Sequence, residues 1–445
     1  MLSLNGNKFY ILKNIRGFSK LSKEKKINWI CENFFNGNKE AEYVLKQYWN
    51  NNSMLQKLHD DFSENVVSNY YLPFSIAPNF LINNKTFAVP MAIEESSVVA
   101  AACNSAKFWK ENGGFSAEII KKEKNGQIHF FFKGKKVELE KYFSFVKPKL
   151  FQKTNSITKN MKKRGGGIKE IKLIDRTNDL KNYYQIFATF DTIDAMGANF
   201  INSCLEEFAK VFIESTIDYE NINKNDIEIV MSILSNYVPN CIVRAIATCS
   251  VDKLNSLHPE TKNFTKKIVD AVAIANYDIY RGVTHNKGVM NGIDAVAIAT
   301  GNDFRAIEAG VHAYVSKSGK YQSLTHAKIL GNKFIYSIEI PLSIGTIGGV
   351  TDLHPLVKFA LELLGNPNSD DLMMIMASVG LAQNFGALRS LVTSGIQKGH
   401  MKMHLINLLN KLNANENEKE LAIKHFKKHK INNASVEVFL KNVRK

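Results

Sequence analysis

Three short stretches concentrate side chains able to move protons or stabilise charge. THNKGVMNGIDAVAIATGNDFRAIEAG, residues 284–310, fences an apolar, small-residue run with Lys287 on one side and Asp303 on the other. VPMAIEESS, residues 89–97, sets Glu94 and Glu95 just ahead of Ser97, and GHMKMH, residues 399–404, carries His400 and His404. An ammonium can stabilise negative charge building on a carbonyl oxygen, and a carboxyl or an imidazole can deliver the proton that quenches it. Each stretch also has a plainer reading. A single helix over 287–303 would hold Lys287 and Asp303 about 24 Å apart on opposite faces. Gly301 suits the end of such a helix, and Asp303 suits the N-cap of the next, FRAIEAGVHAYV. The two glutamates fit the acidic first turn of a helix. The histidine pair lacks a third ligand at suitable spacing, so no metal is expected.

The elements that must position these groups are visible as changes of texture. Residues 20–62 carry helical periodicity anchored by Trp29, Phe34, Tyr43, Leu45, Trp49 and Leu55. From Glu64 aromatics alternate with turn signals, with Asn83-Asn84-Lys85 as a hairpin tip. A helix follows from Glu95 to about Gly113, with acids in its first turn. FSAEIIKKEKNGQIHFFFKGKKVELE then reads as strands joined by an Asn125-Gly126 turn. IKEIKLID and NYYQIFATF are further strands, and 193–214 is a helix with Gly197 near its start. Mixed strands and helices over 114–232 predict a small α+β unit interrupting a larger one. The larger one resumes at 233 and holds the hairpin YQSLTHAKILGNKFIYSIEIPLS. Its nearly all-apolar helix, DDLMMIMASVGLAQNFGALRSLVTSG, belongs in the centre. A lysine-rich helical tail, 394–445, is set off by Gly395 and Gly399.

Composition bounds the rest. No apolar run approaches a membrane span, and the N-terminus lacks a signal-peptide pattern, so the expected compartment is the cytoplasm. Five scattered cysteines with no CxxC imply neither a disulfide frame nor a zinc ribbon, and suit small buried thiols. The net charge is +16. That excess fits a polyanionic ligand such as a nucleotide or coenzyme A; no zinc finger or aromatic RNA-binding motif argues for nucleic acid.

Several blocks in order, ENVV, LPFSIAPNF, VPMAIEESSVVAAA, KRGGG, DTIDAMGAN, RGVTHNKGVMNGIDAVAIATGND, GTIGG and GLAQNFGALRSLVTSGIQKGHMKMH, together resemble hydroxymethylglutaryl-coenzyme A reductase of class II, the soluble bacterial and archaeal type. The resemblance implies four catalytic residues: Glu95, Lys287, Asp303 and His400, gathered tertiarily at a subunit interface. It implies that Ser97, Arg281, Asn236, Asn291 and Gln383 contact the substrate. Nicotinamide cofactor binding falls to Asp194, Ala195, Met196, Gly197, Ala198 and Asn199 at a strand-to-helix junction, where small residues let a pyrophosphate approach backbone amides. Departures from the family pattern, Ser68 after ENVV, EESS and Phe304, touch none of the four.

The implied reaction reduces hydroxymethylglutaryl-coenzyme A to mevalonate and coenzyme A with two reduced nicotinamides. The stretch FQKTNSITKNMKKR before GGG has five basic residues and no acid, which leans towards NADPH over NADH. The implied architecture is α+β: a large helix-rich domain (1–113 and 233–393) around a central apolar helix, an inserted ferredoxin-like, non-Rossmann cofactor domain (114–232) and a C-terminal helical flap (394–445). A homo-oligomer, dimer at minimum, completes the sites, with no membrane or nucleic-acid partner. Two rivals remain: an NAD-dependent mevalonate degrader run oxidatively, and a basic nucleic-acid-binding protein using 151–164 and 421–445.

Overall fold

The structure, a computed structural model, describes residues 15–393, 395, 405–426, 429 and 431–444. Residues 1–73 form one compact unit and 74–445 a second. In the first, helices α1 (Lys23–Phe34), α2 (Lys39–Gln47) and α3 (Ser53–Asp60) each begin at a polar cap: Ser22, Asn38 and Asn52 accept hydrogen bonds from backbone amides one turn in. Ile27, Cys31 and Ala41 form its small core, with Leu45, Trp49 and Val67 packed around them. Phe34 and Tyr43, expected as anchors, are exposed. The first break in the chain therefore falls at Pro73, well before the expected 113.

The second unit is organised on a six-stranded sheet in the order β2-β1-β3-β8-β10-β9. Its strands are β1 (Phe74–Ile82), β2 (Lys85–Ala92), β3 (Phe115–Lys122), β8 (Cys241–Ser250), β9 (Thr325–Leu330) and β10 (Lys333–Pro341). Asn83 and Asn84 both take left-handed backbone and close the β1–β2 hairpin as expected. α4 (Ser96–Lys110) leads from that hairpin to β3, and α8 (Val251–Asn255), α9 (Phe264–Tyr277), α10 (Ile279–Ala299), α11 (Phe304–Val315) and α12 (Pro355–Leu363) fill the rest with α13 (Ser369–Val392). Both glutamates stand ahead of α4 rather than in its first turn, Glu95 as N-cap.

α13 is buried along most of its length and packs against α10, α4 and the sheet. Trp109 and Phe385 are fully buried with ring centroids 4.9 Å apart, tying α4 to α13. α13 is long and apolar enough to cross a membrane by composition, contrary to the reading that no such run exists, yet 78% of its most apolar window is buried within the protein. An apolar helix with no polar face is what a core position demands.

A second sheet, order β5-β6-β4-β7 and antiparallel throughout, uses β4 (Lys124–Phe132), β5 (Gly167–Asp175), β6 (Tyr183–Asp191) and β7 (Ile227–Leu234). Helices α5 (Lys136–Lys153), α6 (Asn155–Lys163) and α7 (Ala198–Glu214) accompany it. Phe130, Phe132, Tyr142, Phe190, Phe208 and Phe212 centre a core separate from the first.

The Asn125-Gly126 turn does not exist. Both residues lie inside β4, and only Glu123 separates β4 from β3, which belongs to the other sheet. A Cβ on Gly126 would fall 2.5 Å from Leu205 Cδ1, so the glycine admits α7 against the strand and closes no turn. Entry and exit of this second sheet are adjacent: Gly126 pairs with Leu234, Ser235 N donates to Asn125 O, and Glu123 N donates to Asn240 O. Towards the C-terminus, residues 405–411, Glu416–His425 and Asn433–Val443 are helical and share a small core of Leu405, Leu409, Ala422, Phe426, Val436 and Leu440. The cysteines at 31, 204, 241 and 249 are buried, Cys103 is partly so, and all five are free.

Candidate active site

Glu95 enters the site because the β2 strand ends and α4 has not yet begun there. With extended backbone and no side-chain capping bond, its carboxylate is turned away from the helix amides. One oxygen accepts a hydrogen bond from Ser97 Oγ. The other lies 3.8 Å from Lys287 Nζ. Lys287 rides on α10, whose opposite face is sealed against α13, so its side chain points outward and is 64% exposed. Two groups 192 positions apart thus form an open ion pair.

Asp303 occupies the predicted N-cap of α11. Its Oδ1 accepts from Arg305 N at 3.1 Å, Ala306 N at 3.2 Å and Arg305 Nε at 3.2 Å. Burial works against ionisation here, but the Ala306 amide and the Arg305 guanidinium outweigh it and hold the carboxyl below its usual range. Among the described residues Asp303 pairs with Arg305 and not with Lys287. Within one chain, then, Asp303 and Lys287 are not in contact, for the helical reason given above: α10 runs on to Ala299 before Gly301 ends it. His400 lies outside the described residues.

Asp303 faces a different neighbourhood, a cavity of about 390 Å³. Its walls include Ala195, Met196, Gly197, Ala198 and Asn199, Arg164 at the end of α6, and the glycine-rich turn from Gly345. α7 starts at Ala198 after a left-handed Gly197, so its free amides open into this space. A helix N-terminus, walls too small to block approach, and one guanidinium suit a dinucleotide with its phosphates. Asp194 takes a structural part: Ser369 N donates to its carboxylate at 2.9 Å and Thr346 N to its carbonyl at 2.8 Å.

The remaining candidates divide. Asn291 lies one helical turn beyond Lys287, on the same face of α10. Gln383 on α13 is buried against Gly292, and its Oε1 has no partner among the described residues. Arg281 is half-buried, which disfavours its charged form, and among the described residues no carboxylate pairs with it. Unpaired buried polar groups of this kind call for a ligand or water. Asn236 is exposed between β7 and β8 with its carbonyl against Gly310, so it sits beside α11.

Sequence reasoning passed over a polar circuit that joins α10 to α11. Asp294 bonds Glu308, Glu308 Oε2 lies 2.7 Å from His312 Nε2, and His312 Nδ1 lies 2.8 Å from Tyr321 Oη. Burial first, and then Glu308, pushes the Asp294 carboxyl well up, while His312 chiefly draws Glu308 down. Asp294 therefore holds the shared proton. The i, i+4 spacing of Glu308 and His312 was a usable signal; the partner on α10 was not. A carboxyl raised on folding contributes stability at low pH and loses it as pH rises through its folded value. Asp294→Asn keeps the donor and removes the titration. Thermal melting should then fall less in the variant than in the wild type on the alkaline side, by about 2–4 °C at pH ~9. Parallel melting curves at all pH values would place the proton elsewhere.

The sequence profile of the family described as Hydroxymethylglutaryl-coenzyme A reductase matches residues 24–405. The 3-hydroxy-3-methylglutaryl-coenzyme A reductase of Archaeoglobus fulgidus is 37% identical over 88% of this chain and 86% of its own length. The probable enzyme of the same name from Borreliella burgdorferi is 34% identical over 94% of this chain and 93% of its own. Among solved structures, the class II enzyme of Streptococcus pneumoniae bound to NADPH in open conformations superposes with a TM-score of 0.70 at 34% identity, over 85% of this chain and 99% of that one.

Proposed function

The chain belongs to the hydroxymethylglutaryl-coenzyme A reductase family, and on that premise we propose that it reduces (S)-3-hydroxy-3-methylglutaryl-coenzyme A to mevalonate in the cytoplasm. Two NADPH and two protons are consumed, and free coenzyme A leaves, as the chain's contribution to isoprenoid synthesis. The observation that carries this reading is the open Glu95–Lys287 pair, present in the same chain as a separate cavity suited to a dinucleotide.

Each residue then has a task its chemistry fits. Lys287 stabilises the oxyanion that forms when hydride reaches the thioester carbon. Glu95, steadied by Ser97, hands a proton to that oxygen and takes it back as the resulting hemithioacetal collapses to an aldehyde and thiolate. His400 protonates the departing thiolate. A second hydride and a second proton complete the alcohol. Arg281 takes the hydroxymethylglutaryl carboxylate in its fork, with Asn291 and Gln383 bonding the remaining polar atoms. The cavity bearing Asp303 holds the nicotinamide, which supplies hydride when bound.

Within one chain Asp303 keeps company with the cofactor motif and not with Lys287. Two chains pairing so that the cavity of one faces the Glu95–Lys287 pair of the other would unite all the groups, Asn236 included, and this is the homodimer we propose. The segment 114–232 serves as the ferredoxin-like cofactor domain, 74–113 with 233–393 as the substrate domain, and 394–445 as a flap.

The test is stoichiometry. Incubation with the thioester should oxidise two NADPH per mevalonate formed, followed at 340 nm; absence of thioester-dependent oxidation would end the proposal. Arg164 lines the cavity while the lysines of α6 do not, so it is the group suited to the 2′-phosphate. Arg164→Ala should raise the KM for NADPH by about 10–100-fold, the worth of a charge-assisted bond, and leave that for NADH within about twofold. Equal effects on both cofactors would favour the NAD-dependent degrader.

A further inference from the structure

Lys124 is the first residue of β4, and only 4% of its surface meets solvent. A lysine so placed is rare unless its charge is answered. Here the answer is a cage of oxygens with no carboxylate among them. Nζ lies 2.7 Å from Thr192 Oγ1, 2.7 Å from Ala195 O, 2.9 Å from Met196 O and 3.3 Å from Ile344 O. Three of these belong to the loop between β6 and α7, and the fourth to the turn that follows β10. Ala195 and Met196 are also walls of the cavity described above, so the ammonium grips the cofactor loop from its inner side.

The loop needs gripping. Ile193 has a φ of +52°, a conformation costly for a β-branched side chain and retained only where the surroundings enforce it. The outer ties are Ser369 Oγ to Ile193 O at 2.8 Å and Ser369 N to Asp194 Oδ1 at 2.9 Å. Lys124 is the inner tie and the one that carries positive charge. We infer that Lys124 is a positioning residue for the dinucleotide: its buried ammonium shapes the 192–196 loop, and loss of that charge releases the loop and weakens cofactor binding.

This rests on the nicotinamide reading of the cavity. Burial chiefly lowers the lysine to about 8, assisted by Lys122. The charged and titratable groups around it are Cys241 on β8, Lys122 at the end of β3, Asp191 at the end of β6, and Asp194. Burial keeps Cys241 a thiol, and Lys122 is paired with Asp370 at 2.5 Å. The neutral amine forms upon raising the pH through that value, and an anionic dinucleotide above the loop favours the charged form. Cofactor binding above pH ~8 should therefore draw a proton from solution.

The experiment titrates NADPH into the full-length protein by nicotinamide fluorescence, from pH ~7 to ~9.5, with Lys124→Met alongside. In wild type the Kd should rise about tenfold across this range. The variant should bind about tenfold more weakly at pH ~7, with a flat profile and a KM for the thioester within about twofold of wild type. Calorimetry in two buffers of different ionisation heat should show proton uptake in wild type and none in the variant. Equal affinity and parallel profiles would overturn the inference while leaving the cavity's assignment intact. Should the variant not fold, a flat wild-type profile without proton uptake overturns it alone. A wild type that binds no NADPH at any pH removes the nicotinamide reading, and this inference with it.

Discussion

Lys287→Ala is expected to lower turnover of the thioester by about a thousandfold, since one positioned oxyanion donor is worth about 10²–10³ and this donor carries a full charge. The substitution reaches nothing else. The side chain is 64% exposed and, among the described residues, its single ion pair, with Glu95, spans 3.8 Å, so melting temperature should change by less than ~2 °C. NADPH affinity should also hold, because Lys287 does not line the dinucleotide cavity. Lys287→Arg keeps the charge but spreads it over a planar fork, and should recover only part of the loss. Turnover within tenfold of wild type would take the lysine out of the chemistry.

Gly345→Val is expected to damage the other half of the machinery as severely. A Cβ at Gly345 would lie 2.4 Å from Met196 N, 2.9 Å from Ala195 C and 3.0 Å from Asp194 O, all of them backbone atoms. None can swing aside as a side chain would; the cofactor loop itself must move. The same contact aligns Thr346 N with Asp194 O at 2.8 Å and Gly345 N with Asn302 Oδ1 at 2.9 Å, next to Asp303. Separating the two segments should cost about 2–4 kcal/mol of stability and at least ~30-fold in NADPH affinity, read by thermal melting and fluorescence titration. Wild-type affinity for NADPH in a folded variant would show that this junction does not shape the cavity.

What the sequence made legible was local. Asn83-Asn84 and the Gly301–Asp303 junction announce themselves because turn and cap chemistry depend on neighbours in the chain. The burial of α13 follows from its having no polar face. The Asn125-Gly126 pair misled for a related reason: turn propensity is real, but the glycine answers to Leu205 on α7, a partner no window of ten residues contains. Lys124 looked like one more surface lysine in a basic chain, and nothing adjacent to it foretells four oxygens gathered from two distant loops. Glu95 and Lys287 were brought together only through the family blocks; the spacing argument concerned Lys287 and Asp303 and kept that pair apart. The break at Pro73 was hidden because aromatics continue across it into β1, so composition does not change where the fold does.

The way the chain enters and leaves its second sheet has a wider consequence. With Gly126 hydrogen-bonded opposite Leu234, the departing and returning threads emerge side by side, a few residues from strands that are themselves neighbours in the host sheet. A segment attached in this manner is modular: it can be excised and bridged by a short Gly-Ser linker, or exchanged for a relative's, without rerouting β3 or β8. Dinucleotide preference could thus be transplanted as a cassette, leaving the acyl-binding scaffold untouched.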